Sequence, residues 1–194
     1  MGEADEALPA LTEVTRSQSR RGTKKRHEVW LHVYDIDSVT ARINDGFLRA
    51  LNMGAFHCGV EVLGDEWFFA WGETEDTGIT WNKPRLHQVH VYKESVYMGE
   101  STLSEVEIRR VLAAAMENWP GNSYHPLTRN CISFAEELVA SLGAPESFPV
   151  WVRGAVDAGN SPLLFPIADW GWQWVKWWCT SSSEEGQGGS STGP

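Results

Sequence analysis

The chain has 194 residues, 42 % hydrophobic and 22 % charged, a composition that suits one ordinary globular domain with tails. Its net charge is −10; residues 1–27 hold six Lys or Arg against four acids, which leaves ten bases and 22 acids in the remainder, and an acidic globular part excludes binding along a nucleic-acid backbone. No apolar run approaches the ~20 residues of a spanning helix, and the acidic start "MGEADEALPALTEV" has neither an apolar signal core nor, at Glu6, the Ser or Thr of a myristoylation signal.

Residues 1–27 read as a flexible arm. Its basic run "RSQSRRGTKKRH" lacks hydrophobic periodicity and reads as a solvated tail, with a nuclear-import signal or an anionic-surface contact as the alternatives. "EVWLHVYDI" alternates Val29, Leu31 and Val33 and predicts a strand. A short helix is expected from about Asp37 to Leu51, interrupted by the turn-like "NDG". "AFHCGVEVLGDEWFFAWG" predicts a hairpin turning at "GDE", and "RLHQVHVYKESVYMG" one or two further strands.

Two helices follow. In "STLSEVEIRRVLAAAMENWPG", Ser104 and Glu107 form a capping box and Ile108, Val111, Leu112, Ala115 and Trp119 an apolar stripe, stopped by Pro120-Gly121. The next helix runs from about Asn130 to Leu142 and ends at Gly143. Strands first and helices after imply an α+β fold, a small antiparallel sheet packed with helices. A Trp-rich stretch at 166–179 and a Ser/Gly tail close the chain. Residues 158–179 are set apart as a C-terminal segment and 180–194 as a disordered tail.

Cys58, Cys131 and Cys179 are odd in number and form no CxxC. That argues against a disulfide framework or a zinc ribbon and for a reducing compartment. The expected location is the cytoplasm, with the nucleus added if the basic run is an import signal. Asn130 is a good N-cap, so Cys131 is the first helical residue, where free N–H groups and the macrodipole favour thiolate over thiol. Cys131 also shares a helical face with Ala135, Leu138 and Leu142, which fits a plain core residue equally well.

A nucleophilic thiol needs a base. On "FHCGVEV" the alternation places Cys58 in the core and His57, Gly59 and Glu61 on the opposite, polar face. Gly59 leaves room there for a substrate backbone. His125, six residues before Cys131, could orient or line the site. His32 is a weaker candidate, and His87 and His90 carry no partner signal.

"GAFHCGVEVLGDEWFFAWG", then "GNSYHPLTRNCISFAEELV" and "FPVWV", resemble the PPPDE family of desumoylating isopeptidases over residues 28 to about 157. The resemblance implies a papain-like cysteine peptidase fold in circularly permuted order, with the histidine block first. It implies His57 as base and Cys131 as nucleophile; Asn130, Gly59, His125 and Trp71 are the candidate substrate-binding or site-lining residues around them. It implies cleavage of the isopeptide bond between a ubiquitin-like C-terminus, SUMO or ubiquitin, and a lysine, without metal or organic cofactor. The chain departs from the family at Ile132, where Asn is usual, and at Ser133, where His is frequent. The alternatives are an acyl thioesterase or acyltransferase of the permuted Cys–His type and a module that binds a ubiquitin-like protein without cutting it. Trp170 to Trp178 either dock on the domain or make a peripheral membrane contact, in which case Cys179 is a candidate for acylation.

Overall fold

The computed structural model describes residues 26–36 and 56–160, together with Pro166, Asp169 and Gln173. Among the described residues, five strands form one antiparallel sheet. They are β1 (His27–Asp35), β2 (Phe56–Val62), β3 (Asp65–Phe69), β4 (Ile79–Asn82) and β5 (Val91–Ser101), in the spatial order β4-β3-β2-β1-β5. Three α-helices follow in sequence: α1 (Glu105–Asn118), α2 (Cys131–Ser141) and α3 (Val150–Gly159). The strands-then-helices reading is therefore correct and the fold is α+β. Of the arm read as 1–27, residues 1–25 lie outside the described residues, but His27 already pairs with Ser101 as the first residue of β1; the helix expected near 37–51, the Trp-rich stretch and the tail also lie outside them, the three isolated positions apart.

Strand alternation builds the core. Val29, Leu31 and Val33 of β1 and Phe56, Cys58, Val60 and Val62 of β2 are all buried, and α2 packs on β2 and β3 through Cys131, Phe134, Ala135 and Leu138. β2 and β3 join at Leu63-Gly64, with φ of 57° and 85°, so the hairpin turn begins one residue before "GDE" and Asp65 and Glu66 already belong to β3. Positive φ at both central residues fits the strand twist of a two-residue hairpin. β4 was not legible in the sequence. Residues 85–90, expected to be strand, form a loop and β5 begins only at Val91.

The two predicted helices form as read. The Ser104 side chain accepts from the Glu107 N–H while Glu107 Oε2 accepts from the Ser104 N–H at 2.7 Å, and Ile108, Leu112 and Trp119 are buried. α2 begins at Cys131 and gives way at Gly143, whose φ of 66° suits a glycine. The segment containing "FPVWV" supplies α3, which contributes Val152 to the core and sets Trp151 edge-on to Phe56, ring centres 5.1 Å apart. No helix of the described residues is long and apolar enough to cross a membrane.

Candidate active site around Cys131 and His57

The turn before α2 is tied down residue by residue. Arg129 stacks over the Trp119 ring at 4.0 Å and donates from Nε to Ser123 Oγ at 2.9 Å. His125 and Arg129 exchange backbone hydrogen bonds. His125 Nδ1 accepts from the N–H groups of Leu127 and Thr128, and its Nε2 meets Asp169 Oδ1 at 2.9 Å. His125 thus orders the loop and fastens it to Asp169. It does not line either of the cavities at Cys131 and His57.

Asn130 is buried and wholly engaged in capping. Its Oδ1 accepts from Ile132 N–H and Ser133 N–H, each at 2.9 Å, and its Nδ2 donates to Pro126 O. Ser133 completes a capping box by accepting the Asn130 N–H at 2.7 Å. The serine at the position where the resemblance expects histidine therefore serves the helix start. Ile132 is a core residue that also borders the cavity beside Cys131.

Cys131 opens α2 with 5 % exposure. The Cys58 backbone N–H, the Tyr124 hydroxyl and the N–H groups at the helix start all lie toward its sulfur and favour the thiolate. The Tyr124 hydroxyl faces both the Cys131 thiol and the Cys131 backbone N–H. The ladder joining β2 to β3 ends at Val60 and Trp67. Short of that point, at Cys58, the edge of β2 is open to the sulfur.

The electrostatics correct one expectation. The helix start and the hydrogen bonds favour thiolate, yet burial outweighs them and pushes the Cys131 thiol above its ordinary value of 9.0. Burial first, then the neighbouring His90 and His87, holds His57 well below 6.5. Both shifts favour the neutral thiol and the neutral imidazole over an ion pair.

His57 occupies the face of β2 opposite Cys58, as the alternation predicts, and is buried there beneath other rings. The His57 ring lies 4.5 Å from His90, 4.8 Å from His87 and 5.4 Å from Phe68, centre to centre. His57 Nε2 is buried without a hydrogen-bond partner, and among the described residues no hydrogen bond joins His57 to Cys131. A cavity of about 440 Å³ is lined by His57, Phe68, Trp71, His87, His90 and Tyr124 among others. A second, of about 200 Å³, is lined by Ile36, Phe56, Leu127, Cys131, Ile132 and Val156 with Tyr124 and Asn130. Tyr124 is common to both. Trp71 is thus placed beside His57, whereas Tyr124, His87 and His90 were not singled out by sequence reasoning. The His87-x-x-His90 spacing was the available signal for two of them.

Gly59 has a different role from the one expected. A Cβ there would stand 2.2 Å from Glu66 Oε1. The glycine makes room for a fully buried carboxylate, held by the Tyr34 hydroxyl at 2.7 Å and the Arg85 N–H at 2.8 Å, and not for a substrate backbone. His32 is likewise committed, to Ser95 Oγ at 2.7 Å and Glu61 Oε2 at 2.8 Å.

A family model described as the PPPDE putative peptidase domain matches residues 27–166. The chain is similar to a Desumoylating isopeptidase 1 homolog of Caenorhabditis elegans, 30 % identical over 77 % of this chain and 45 % of that protein. It is also similar to a DeSI-like protein of Arabidopsis thaliana, 26 % identical over 79 % of this chain and 67 % of that one, and to a DeSI-like protein of Schizosaccharomyces pombe, 28 % identical over 61 % and 59 %. The chain spans less than half the length of the nematode relative.

Proposed function

This chain belongs to the PPPDE putative peptidase family, and from that premise we propose that it is a cysteine isopeptidase, with Cys131 as nucleophile and His57 as base, that releases SUMO or another ubiquitin-like modifier from lysine. The permuted papain-like order belongs to the same proposal. The observation that carries it is the setting of Cys131: first residue of a capped helix, with the Cys58 N–H and the Tyr124 hydroxyl toward its sulfur and His57 on the strand next to Cys58.

With thiol and imidazole both neutral and not bonded to each other, substrate arrival must bring them together. His57 Nε2 has no partner to give up. As His57 takes the Cys131 proton, the sulfur attacks the carbonyl carbon of the modifier's terminal residue. Charge builds on sulfur and then on the carbonyl oxygen. The Cys58 N–H and the Tyr124 hydroxyl stabilise the first, and the Cys131 N–H and Tyr124 can turn to the second. The carbon–nitrogen bond then breaks, the lysine amine leaves with the proton from His57, and a thioester remains on Cys131. Water, deprotonated by His57, hydrolyses that thioester and restores the thiol. No step calls for a metal or organic cofactor.

A probe made of SUMO with an electrophile at its C-terminus tests this directly. Capture at Cys131, abolished by Cys131→Ser and reduced at least a hundredfold by His57→Ala in a folded protein, is expected; undiminished capture in Cys131→Ser overturns the assignment. A ubiquitin-ended probe run in parallel reads modifier preference. The apolar cavity against Cys131 favours one second reading, thioester cleavage on an acyl chain. Capture by a lipid-like electrophile alone would favour it, and capture by neither kind of probe would favour a non-catalytic binding module.

A further inference from the structure

We propose that His57, His87 and His90 form a binding site for a divalent cation of the Zn²⁺ class, and that the bound ion withholds His57 from Cys131. The inhibitory half rests on the proposed role of His57 as base; the binding half does not.

The three rings come from two distant stretches of chain and converge. One ligand nitrogen from each histidine lies within 4.8 Å of the other two. Ring centres are 4.5 Å apart for His57 and His90, 4.8 Å for His57 and His87, and 4.5 Å for His87 and His90. A tetrahedral ion about 2.0–2.1 Å from each nitrogen spaces three imidazole centres about 5 Å apart. The ring centres are therefore near the required spacing, and the ligand nitrogens, now within 4.8 Å of one another, must draw in to about 3.4 Å.

Each histidine can be followed atom by atom. His90 Nδ1 donates to Ile36 O at 2.9 Å, which leaves the Nε2 lone pair available. A backbone carbonyl on the far nitrogen is the usual partner of a metal-bound imidazole. His57 Nε2 is buried with no partner, a vacancy that an ion would fill. His87 needs the larger change. Its Nδ1 accepts from Val89 N–H at 3.3 Å and His90 N–H at 3.1 Å, so ligation through Nε2 moves a proton to Nδ1 and releases both bonds. His87 and His90 are half-buried, and Leu86 and Val89 beside them are exposed at 67 % and 75 %. The adjustment therefore falls on surface backbone and not on the sheet.

The donor set selects the ion. Three imidazoles without a carboxylate or thiolate suit Zn²⁺, Cu²⁺ or Ni²⁺ and do not suit Mg²⁺ or Ca²⁺, which require oxygen.

The test uses the full chain with Co²⁺ as a spectroscopic probe and Zn²⁺ as competitor. The expected result is one Co²⁺ per chain with a nitrogen-ligand visible band and no thiolate charge-transfer band. Zn²⁺ should displace the Co²⁺ and Mg²⁺ should not. Binding should weaken at least tenfold in His87→Gln/His90→Gln. Equal affinity in that double variant, or a thiolate band, overturns the site. In the second arm, Zn²⁺ should slow capture of Cys131 by the SUMO-ended probe in the wild type and not in the double variant; equal Zn²⁺ sensitivity overturns the withholding of His57. If the metal-free wild type captures no probe, the isopeptidase reading and the inhibitory half fall together, while the Co²⁺ spectrum still decides the cation site.

Discussion

At the scale of single residues the competition is between burial and hydrogen bonding at Cys131. Two donors and a helix start favour the thiolate, but nearly complete burial favours the thiol and prevails. The free protein should therefore react slowly with iodoacetamide at pH 7, and its rate should keep climbing above pH 9. A plateau reached below pH 7 would mean that His57 and Cys131 already rest as an ion pair. Tyr124 is the residue that makes the buried thiol usable in the proposed reaction. Its hydroxyl faces both the sulfur and the Cys131 amide, so Tyr124→Phe removes one donor from each centre of developing charge. Loss of one such donor slows acyl transfer by about 10²–10³ where it serves an oxyanion. The expected outcome is a kcat for SUMO-conjugate hydrolysis lowered by about two orders of magnitude, with KM changed less than threefold. An unchanged kcat would reduce Tyr124 to packing against Phe69, whose ring centre lies 5.2 Å away.

At the scale of elements, the start of α2 is the feature on which position depends. Asn130→Ala removes the acceptor of two N–H groups and the donor to Pro126 O. Loss of an N-cap costs about 1 kcal/mol, and here a buried side chain with three bonds goes with it. Asn130→Ala should lower the midpoint of urea unfolding, and Asn130→Asp, which keeps the acceptor, should recover more than half of the loss. A midpoint shared by wild type and both variants would contradict the capping role. Asn130 followed by a helical pattern was also what made this start legible in sequence, just as Ser104 and Glu107 did for α1. Local signals of this kind report only on their own segment. Gly59 was misread because its reason, the Glu66 carboxylate across the β2–β3 pair, is a tertiary contact. β4 is only four residues, too short for its Ile-Thr-Trp-Asn alternation to stand out, and Trp81 on the face of Ile79 is exposed. The "RLHQVH" stretch reads as strand by composition, yet the backbone bond from Arg85 to Glu66 and the turn from Leu86 to Lys83 hold it as a loop over His57.

At the scale of the whole molecule, buried titratable groups define a pH window for folding. His57 and His87 are depressed below 6.5 in the folded state, His87 to about 4. Below 6.5 the unfolded chain binds protons that the folded chain refuses, so stability is complete above that value and is lost as pH falls through it. Cys58 and Cys131 are raised above 9.0. Above that value the unfolded chain releases protons that the folded chain retains, so stability is lost again as pH rises. Glu66 runs against the acid limb. Burial raises it from 4.5 despite the Tyr34 and Arg85 bonds, so its contribution falls as pH climbs above 4.5. That slope opposes the histidines between their folded and unfolded values and flattens the acid side without reversing it, since two histidines stand against one carboxyl. The melting temperature should therefore be highest between about pH 6.5 and pH 9, with a shallow acid limb and a steeper alkaline one. Cys58→Ala should soften the alkaline limb, because its thiol lies on the core face of β2 at full burial. Cys58→Ala keeps the backbone N–H that reaches Cys131, so probe capture at pH 7.5 should persist. His87→Gln should soften the acid limb alone. Melting curves collected from pH 4 to pH 10 decide the matter. A maximum below pH 6, or an alkaline limb unchanged in Cys58→Ala, would show that groups other than the two buried thiols and the stacked histidines control the pH dependence of folding.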